Sequence, residues 1–126
     1  MDARKLNLGL KNRTYTQTLP IEKIILGLKN KIVTSLDIKH GFFNFGLSPN
    51  TKRYFAFWVN SKVYTYTRLI QGLSASPSIM IHAMNLIFSR ETMLYIKKAY
   101  LPNHVSKNLP DEFNFIYHYV DDVFIH

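Results

Sequence analysis

The 126-residue sequence contains no cysteine, which excludes a disulfide framework, a thiolate metal site and a cysteine nucleophile. Carboxylates are scarce, with eight Asp and Glu against sixteen Lys and Arg and a net charge of +8. A membrane span is missing as well. The longest uncharged window, between Arg68 and Arg90, is broken by Gln71, Gly72, Pro77, Asn85 and several serines, too polar for a bilayer core. The N-terminal "MDARKLN" is charged where a secretory signal would be apolar. There is no internal repeat and no low-complexity tract. From these absences we expect an intracellular chain that is not secreted and has no membrane partner.

What is present fits one folded unit. The sequence is 47% hydrophobic and 14% aromatic, which argues against disorder. A chain of this length can bury roughly two-thirds of its unfolded surface. The positive charge is concentrated early, with seven basic residues and two acids in residues 1–36. Phosphate backbones reward such an excess through counterion release. Charge alone does not single out a nucleic acid, because many basic proteins bind nothing in particular.

Periodicity predicts mixed helix and strand. In "LPIEKIILGLKNK", Pro20 is suited to a first helical turn, and Ile21, Ile24, Ile25 and Leu28 recur at helical spacing. "KIVTSLDI" reads as a strand with Ile32, Leu36 and Ile38 on one face and Val33, Ser35 and Asp37 on the other. "RYFAFWV" and "VYTYT", joined by "NSK", read as a hairpin over 53–59 and 63–67. Ser76-Pro77 starts a helix expected over 77–98, with Met80, Ala83, Met84 and Ile87 on one side. "PNHVSKNLPDE" reads as a loop bracketed by Pro102 and Pro110. The chain then closes as a 115–125 hairpin, a strand, an Asp-Asp turn and a second strand.

That last stretch, "IYHYVDDVFIH", sets two of the eight carboxylates side by side among strand formers. An isolated Asp-Asp is ordinarily a turn, since Asp bonds its own backbone. Neighbouring strand residues face opposite ways, so two adjacent aspartates serve one site only where the chain turns. If the hairpin pairs beside the Asp37 strand, Asp37, Asp121 and Asp122 converge. A divalent cation relieves the resulting repulsion, and Mg²⁺ prefers a few carboxylates plus waters and phosphates. Two such ions about 4 Å apart can drive phosphoryl transfer.

Four blocks in order give the sequence a resemblance to a reverse transcriptase of the retroviral and LTR-retrotransposon kind, foamy-virus-like or gypsy-like. They are "DARKLN", "SLDIKHGFFNFGL", "YTRLIQGLSASP" and "YHYVDDVFIH". The resemblance implies an α+β fold, a polymerase palm with part of the fingers, in a single partial domain over 1–126. Fingers would occupy about 1–11 and 45–75, and palm about 12–44 and 76–126. It implies an RNA-directed DNA polymerase in which a primer 3′-hydroxyl attacks a deoxynucleotide α-phosphate and releases pyrophosphate. Asp37, Asp121 and Asp122 would be the catalytic, metal-binding carboxylates for two Mg²⁺, with Mn²⁺ as a substitute. Substrate contacts would come from Phe42, which crowds the sugar 2′ position, from Gln71 and Gly72 along the nucleotide, from Tyr119 under the primer end and from Arg68. Partners would be an RNA or DNA template with primer and dNTPs, in the cytoplasm or a retroelement particle.

The pattern departs from the family in places. Ile70 stands where the family usually has Pro, and Gln71 and Asp121 are 50 residues apart, a longer gap than usual. By resemblance the sequence starts after the finger strands that hold the triphosphate and stops before the thumb and RNase H. A catalytically inactive nucleic-acid-binding remnant of a retroelement is therefore an alternative. An unrelated two-metal nuclease is disfavoured, because His118 and His126 flank the aspartates without a metal-ligand spacing.

Overall fold

The computed structural model describes residues 2–10, 19–110 and 112–126. The remaining positions of the expected fingers and palm segments, and position 111 of the expected loop, lie outside the described residues. In chain order the elements are α1 (Arg4–Gly9), α2 (Ile21–Leu28), β1 (Thr34–Asp37), a 3-10 turn (Gly41–Asn44) and α3 (Pro49–Lys52). A second 3-10 turn (Arg53–Phe55), β2 (Ala56–Val59), β3 (Lys62–Thr65), α4 (Ser76–Ile87), α5 (Arg90–Tyr100), α6 (Asn103–Asn108), β4 (Ile116–Tyr119) and β5 (Asp122–Ile125) follow.

The C-terminal hairpin does pair beside the Asp37 strand. β5 is central in an antiparallel sheet of order β1-β5-β4. Its register sets Leu36 opposite Val123 and Asp37 opposite Asp122 on one side, and His118 opposite Val123 on the other. Period-2 alternation then sorts the side chains. Ile116, Val123 and Ile125 turn to the face covered by Met80 and Met84 of α4. On the opposite face α2 comes close: a Cβ at Gly27 would overlap the Tyr117 hydroxyl. A second core cluster joins Ala3, Phe55, Leu69, Ile70 and Leu73. Phe42 and Phe45 pack against both clusters and link them.

The hairpin β2–β3 forms a separate two-stranded sheet. Its two-residue turn, Asn60–Ser61, has φ of 46° and 60°, the all-positive geometry that matches strand twist. The expected strand from Arg53 is shorter, because Arg53–Phe55 is a 3-10 turn that buries Phe55.

Five further expectations need correction. The 77–98 helix is two helices. Ser89 leaves the helix at φ −63°, ψ 149°, and its Oγ accepts from the Thr92 N–H, capping α5. Apolar periodicity runs through Met93 and Leu94 and masks that cap. Ile87, expected on the core side, is 47% exposed. The 102–112 stretch holds α6, started by Pro102 and held by the Lys97 ammonium donating to the Leu109 carbonyl. The β1 strand is only Thr34–Asp37; Ile32 lies outside it at 96% exposure, and Leu36 is half exposed, because β1 is an edge strand. Finally, the hairpin turns at Val120–Asp121, and Asp122 already belongs to β5.

His118 stacks on Phe88 at the α4–α5 break, with ring centroids 5.3 Å apart. Its Nδ1 is buried without a hydrogen-bond partner among the described residues. Burial holds its imidazole below the usual 6.5. The unfolded chain therefore takes up a proton first as pH falls, and stability attributable to His118 is lost as pH drops through about 6.5. Thermal melts between about pH 7.5 and 5.5 should show a steeper loss in the native protein than in His118→Gln. Parallel losses in the two proteins would contradict this assignment.

Candidate functional site

Three backbone facts bring the carboxylates together. Asp37 ends β1 and Asp122 begins β5, and they are direct cross-strand partners, so their side chains share a face. Asp121 is the second residue of the β4–β5 turn. The Ile38 N–H donates to the Asp121 carbonyl at 3.1 Å, which ties the turn to the end of β1. One carboxylate oxygen from each of Asp37, Asp121 and Asp122 lies within 4.8 Å of the others.

Nothing among the described residues neutralises this cluster. Among the described residues, no Lys or Arg reaches ion-pair distance of the three aspartates, and no side-chain donor bonds to them; the one such ion pair is Asp2–Arg4. Like charges about 4 Å apart repel by roughly 1 kcal/mol in water and about 4 kcal/mol near a protein surface. Asp37 is exposed, while Asp121 and Asp122 are half-buried, so the true figure falls between those limits. An all-oxygen donor set of this kind suits a hard divalent cation, with solvent or a ligand completing the shell.

Beside the cluster is a cleft of about 180 Å³ lined by Asp37, Ile38, His40, Gly41, Phe42, Phe43, Gln71 and Asp121. Of the residues singled out from the sequence, Phe42 and Gln71 share this cleft with two of the carboxylates. Phe42 is both cleft wall and packing residue, since it also touches both core clusters. Asp122 joins the triad but does not line the cleft. Gly72, Arg68 and Tyr119 are not among the lining residues. Gly72 adopts φ +84°, a conformation that favours glycine. Arg68 is exposed on a bridge to Gly46, and Tyr119 pairs with Asp122 at the end of β4.

The sequence reading missed the structural need for Gly41. This buried residue begins the 3-10 turn after β1. A Cβ there would lie 2.8 Å from Met80 Cε and 3.3 Å from Asp121 Cβ. Met80 is only 2% exposed, so its methyl has little room to retreat. A glycine following an aspartate by four positions gives no local signal, because the demand comes from a helix and a turn far along the chain. Gly41→Ala should destabilise by about 1–3 kcal/mol. At Gly9 no atom lies within 4 Å of a built Cβ, so Gly9→Ala should gain up to about 1 kcal/mol from helix propensity. Denaturant titration of both variants checks the opposite signs.

No curated protein sequence matches significantly. Among solved structures, a foamy viral protease–reverse transcriptase in complex with dsDNA matches with a TM-score of 0.63 and 20% identity, over 98% of this chain and 21% of that one. The native prototype foamy virus protease–reverse transcriptase matches with a TM-score of 0.60 and 24% identity, over 98% of this chain and 14% of that one. A foamy viral protease–reverse transcriptase bound to an RNA/DNA hybrid matches with a TM-score of 0.61 and 21% identity, over 99% of this chain and 14% of that one. These likenesses carry the fold, an α+β palm sheet with part of the fingers, and the chain spans about a fifth or less of those structures. The family model described as reverse transcriptase (RNA-dependent DNA polymerase) matches residues 2–126, and the chain belongs to that family.

Proposed function

We propose that this chain carries the nucleotidyl-transfer centre of an RNA-directed DNA polymerase that joins dNTPs to a primer 3′-hydroxyl. The observation that carries the reading is the convergence of Asp37, Asp121 and Asp122 within 4.8 Å. In this reading the three aspartates hold two Mg²⁺, with Mn²⁺ as a substitute. When bound, the metal pair supplies activation of the primer hydroxyl and charge relief on the leaving pyrophosphate. The protein's own groups do the rest. Phe42 sets a rigid ring against the sugar 2′ position and rejects a hydroxyl by occupying its space. Gln71 offers an amide to the sugar, and Gly72 lets backbone approach closely. Tyr119 supports the primer end, and Arg68 offers a cation to phosphate.

Charge distribution supports a template–primer partner. The sequence has no carboxylate between Asp37 and Glu91. Around the β2–β3 hairpin stand Lys52, Arg53, Lys62 and Arg68, with Tyr54 60%, Trp58 73% and Tyr64 49% exposed. Cations interleaved with exposed rings suit a polynucleotide backbone and its bases. The foamy viral structures include complexes with dsDNA and with an RNA/DNA hybrid. The division into fingers, about 1–11 and 45–75, and palm, about 12–44 and 76–126, belongs to the same proposal.

Metal binding gives the first test. A cation that binds only the folded state stabilises it by about 2.7 kcal/mol at about 100 times Kd. Mg²⁺ or Mn²⁺ should therefore raise the melting temperature. Asp121→Asn should remove most of that rise, while Glu91→Gln, on α5, should keep it. Equal shifts in both variants would count against the triad.

Activity gives the second. The 126-residue chain should bind a primer–template duplex, losing at least about tenfold in affinity between about 50 and 200 mM salt. Primer extension with an RNA template, dNTPs and Mg²⁺ should be weak, because a primer held loosely enough to shift by about 1 Å loses roughly a hundredfold in rate. Extension abolished by Asp121→Asn establishes the chemistry. Salt-sensitive binding without extension would favour the catalytically inactive, nucleic-acid-binding remnant, and absence of both would leave the polymerase family as a statement about descent alone.

A further inference from the structure

Outside the carboxylate cleft, one side chain ties distant parts of the chain together with both ends of its amide. Asn7, on α1, donates from Nδ2 to the Gly72 carbonyl at 3.0 Å and accepts at Oδ1 from the Ser74 N–H at 2.9 Å. α1 and its two flanking residues are seated through Ala3, Leu6 and Leu10 on the cluster that contains Leu69, Ile70 and Leu73. On the other side of the loop, the fully buried Ser76 hydroxyl donates to the Ile70 carbonyl at 2.7 Å. Gln71 is the residue in between. The carbonyl before it is held by Ser76 and the carbonyl after it by Asn7. Gln71 lines the cleft with Asp37 and Asp121, whereas Asn7 does not.

We propose that Asn7 is a positioning residue for Gln71. Its amide fixes the Gln71–Gly72 loop at a set distance from the carboxylates, so that Gln71 meets a nucleoside triphosphate without first being ordered. The nucleotide half of this inference rests on the polymerase reading; the clamp itself rests on the two hydrogen bonds. The amide's donor and acceptor, fixed on one planar group, span a carbonyl and an N–H two residues apart. Leaving either backbone group unpaired loosens the loop, and Gly72, with φ +84° and no side chain, adds no restraint of its own.

The test uses the 126-residue chain with Asn7→Ala, Asn7→Asp, Gln71→Ala and the Asn7→Ala/Gln71→Ala pair. Amide hydrogen exchange reads the clamp. In Asn7→Ala the Ser74 amide should exchange about tenfold faster, the equivalent of one lost hydrogen bond, while the Val123 amide is unchanged. Asn7→Asp keeps the acceptor for Ser74 and should stay closer to the native rate. A uniform rise along the chain, or no rise at Ser74, overturns the proposal. Binding of dTTP with Mg²⁺ reads the consequence. Asn7→Ala should weaken it about tenfold with binding of Mg²⁺ alone unchanged, and should add nothing in the Gln71→Ala background, because a group acting through Gln71 has no effect once Gln71 is gone. Additive losses overturn the positioning role. If the native chain binds no dTTP, the nucleotide half of the proposal is overturned while the polymerase reading stands on its own metal and extension tests, and exchange at Ser74 alone decides whether Asn7 holds the loop.

Discussion

The placing of Asp37 opposite Asp122 is the constraint that the rest of the structure accommodates. Like charges directly across two strands destabilise the pair, and Asp121 in the adjoining turn adds a third. The fold tolerates this because the residue next to Asp122 points the other way. Val123, 7% exposed, joins Met80 and Met84 in the core, and each fully buried apolar side chain contributes about 1.5–3 kcal/mol. That burial, shared with the rest of the Met80 cluster, offsets repulsion of about 1–4 kcal/mol per pair. One strand thus carries the strain on one face and its compensation on the other.

The two core clusters meet behind the cleft at Phe42 and Phe45. Phe42 reaches the cleft from this junction, so its ring is held by packing from both sides. Interiors packed at crystal-like density transmit small displacements instead of absorbing them. A change in either cluster is therefore felt at the cleft wall, even when it lies far from any carboxylate.

Much of this was legible in the sequence, and what was not has identifiable causes. The C-terminal hairpin, its pairing with the Asp37 strand and the carboxylate convergence follow from period-2 alternation and from the scarcity of acids. The hairpin turn was misplaced by one residue, because Asp-Asp is a good turn sequence and Val-Asp is a poor one, whereas cross-strand register put Val120 in the loop. The α4–α5 break was hidden because apolar spacing persists through Ser89, and α6 because a polar segment hides a helix fixed by Lys97 from a neighbouring element. Gly41 and Asn7 are needed only for contacts made with residues more than about thirty positions away. No local pattern announces them.

Val120 has a further consequence. It adopts φ +53°, a left-handed conformation that is uncomfortable for a β-branched residue and costs on the order of 1–3 kcal/mol. It also packs against the Met80 cluster, so the strained backbone is clamped by its own side chain. Glycine would be relaxed there, but it would also let the turn wander. A turn that is tense yet immobile fixes the direction of the Asp121 carboxyl before anything arrives. Little reorganisation energy is then left for a ligand to supply on entry.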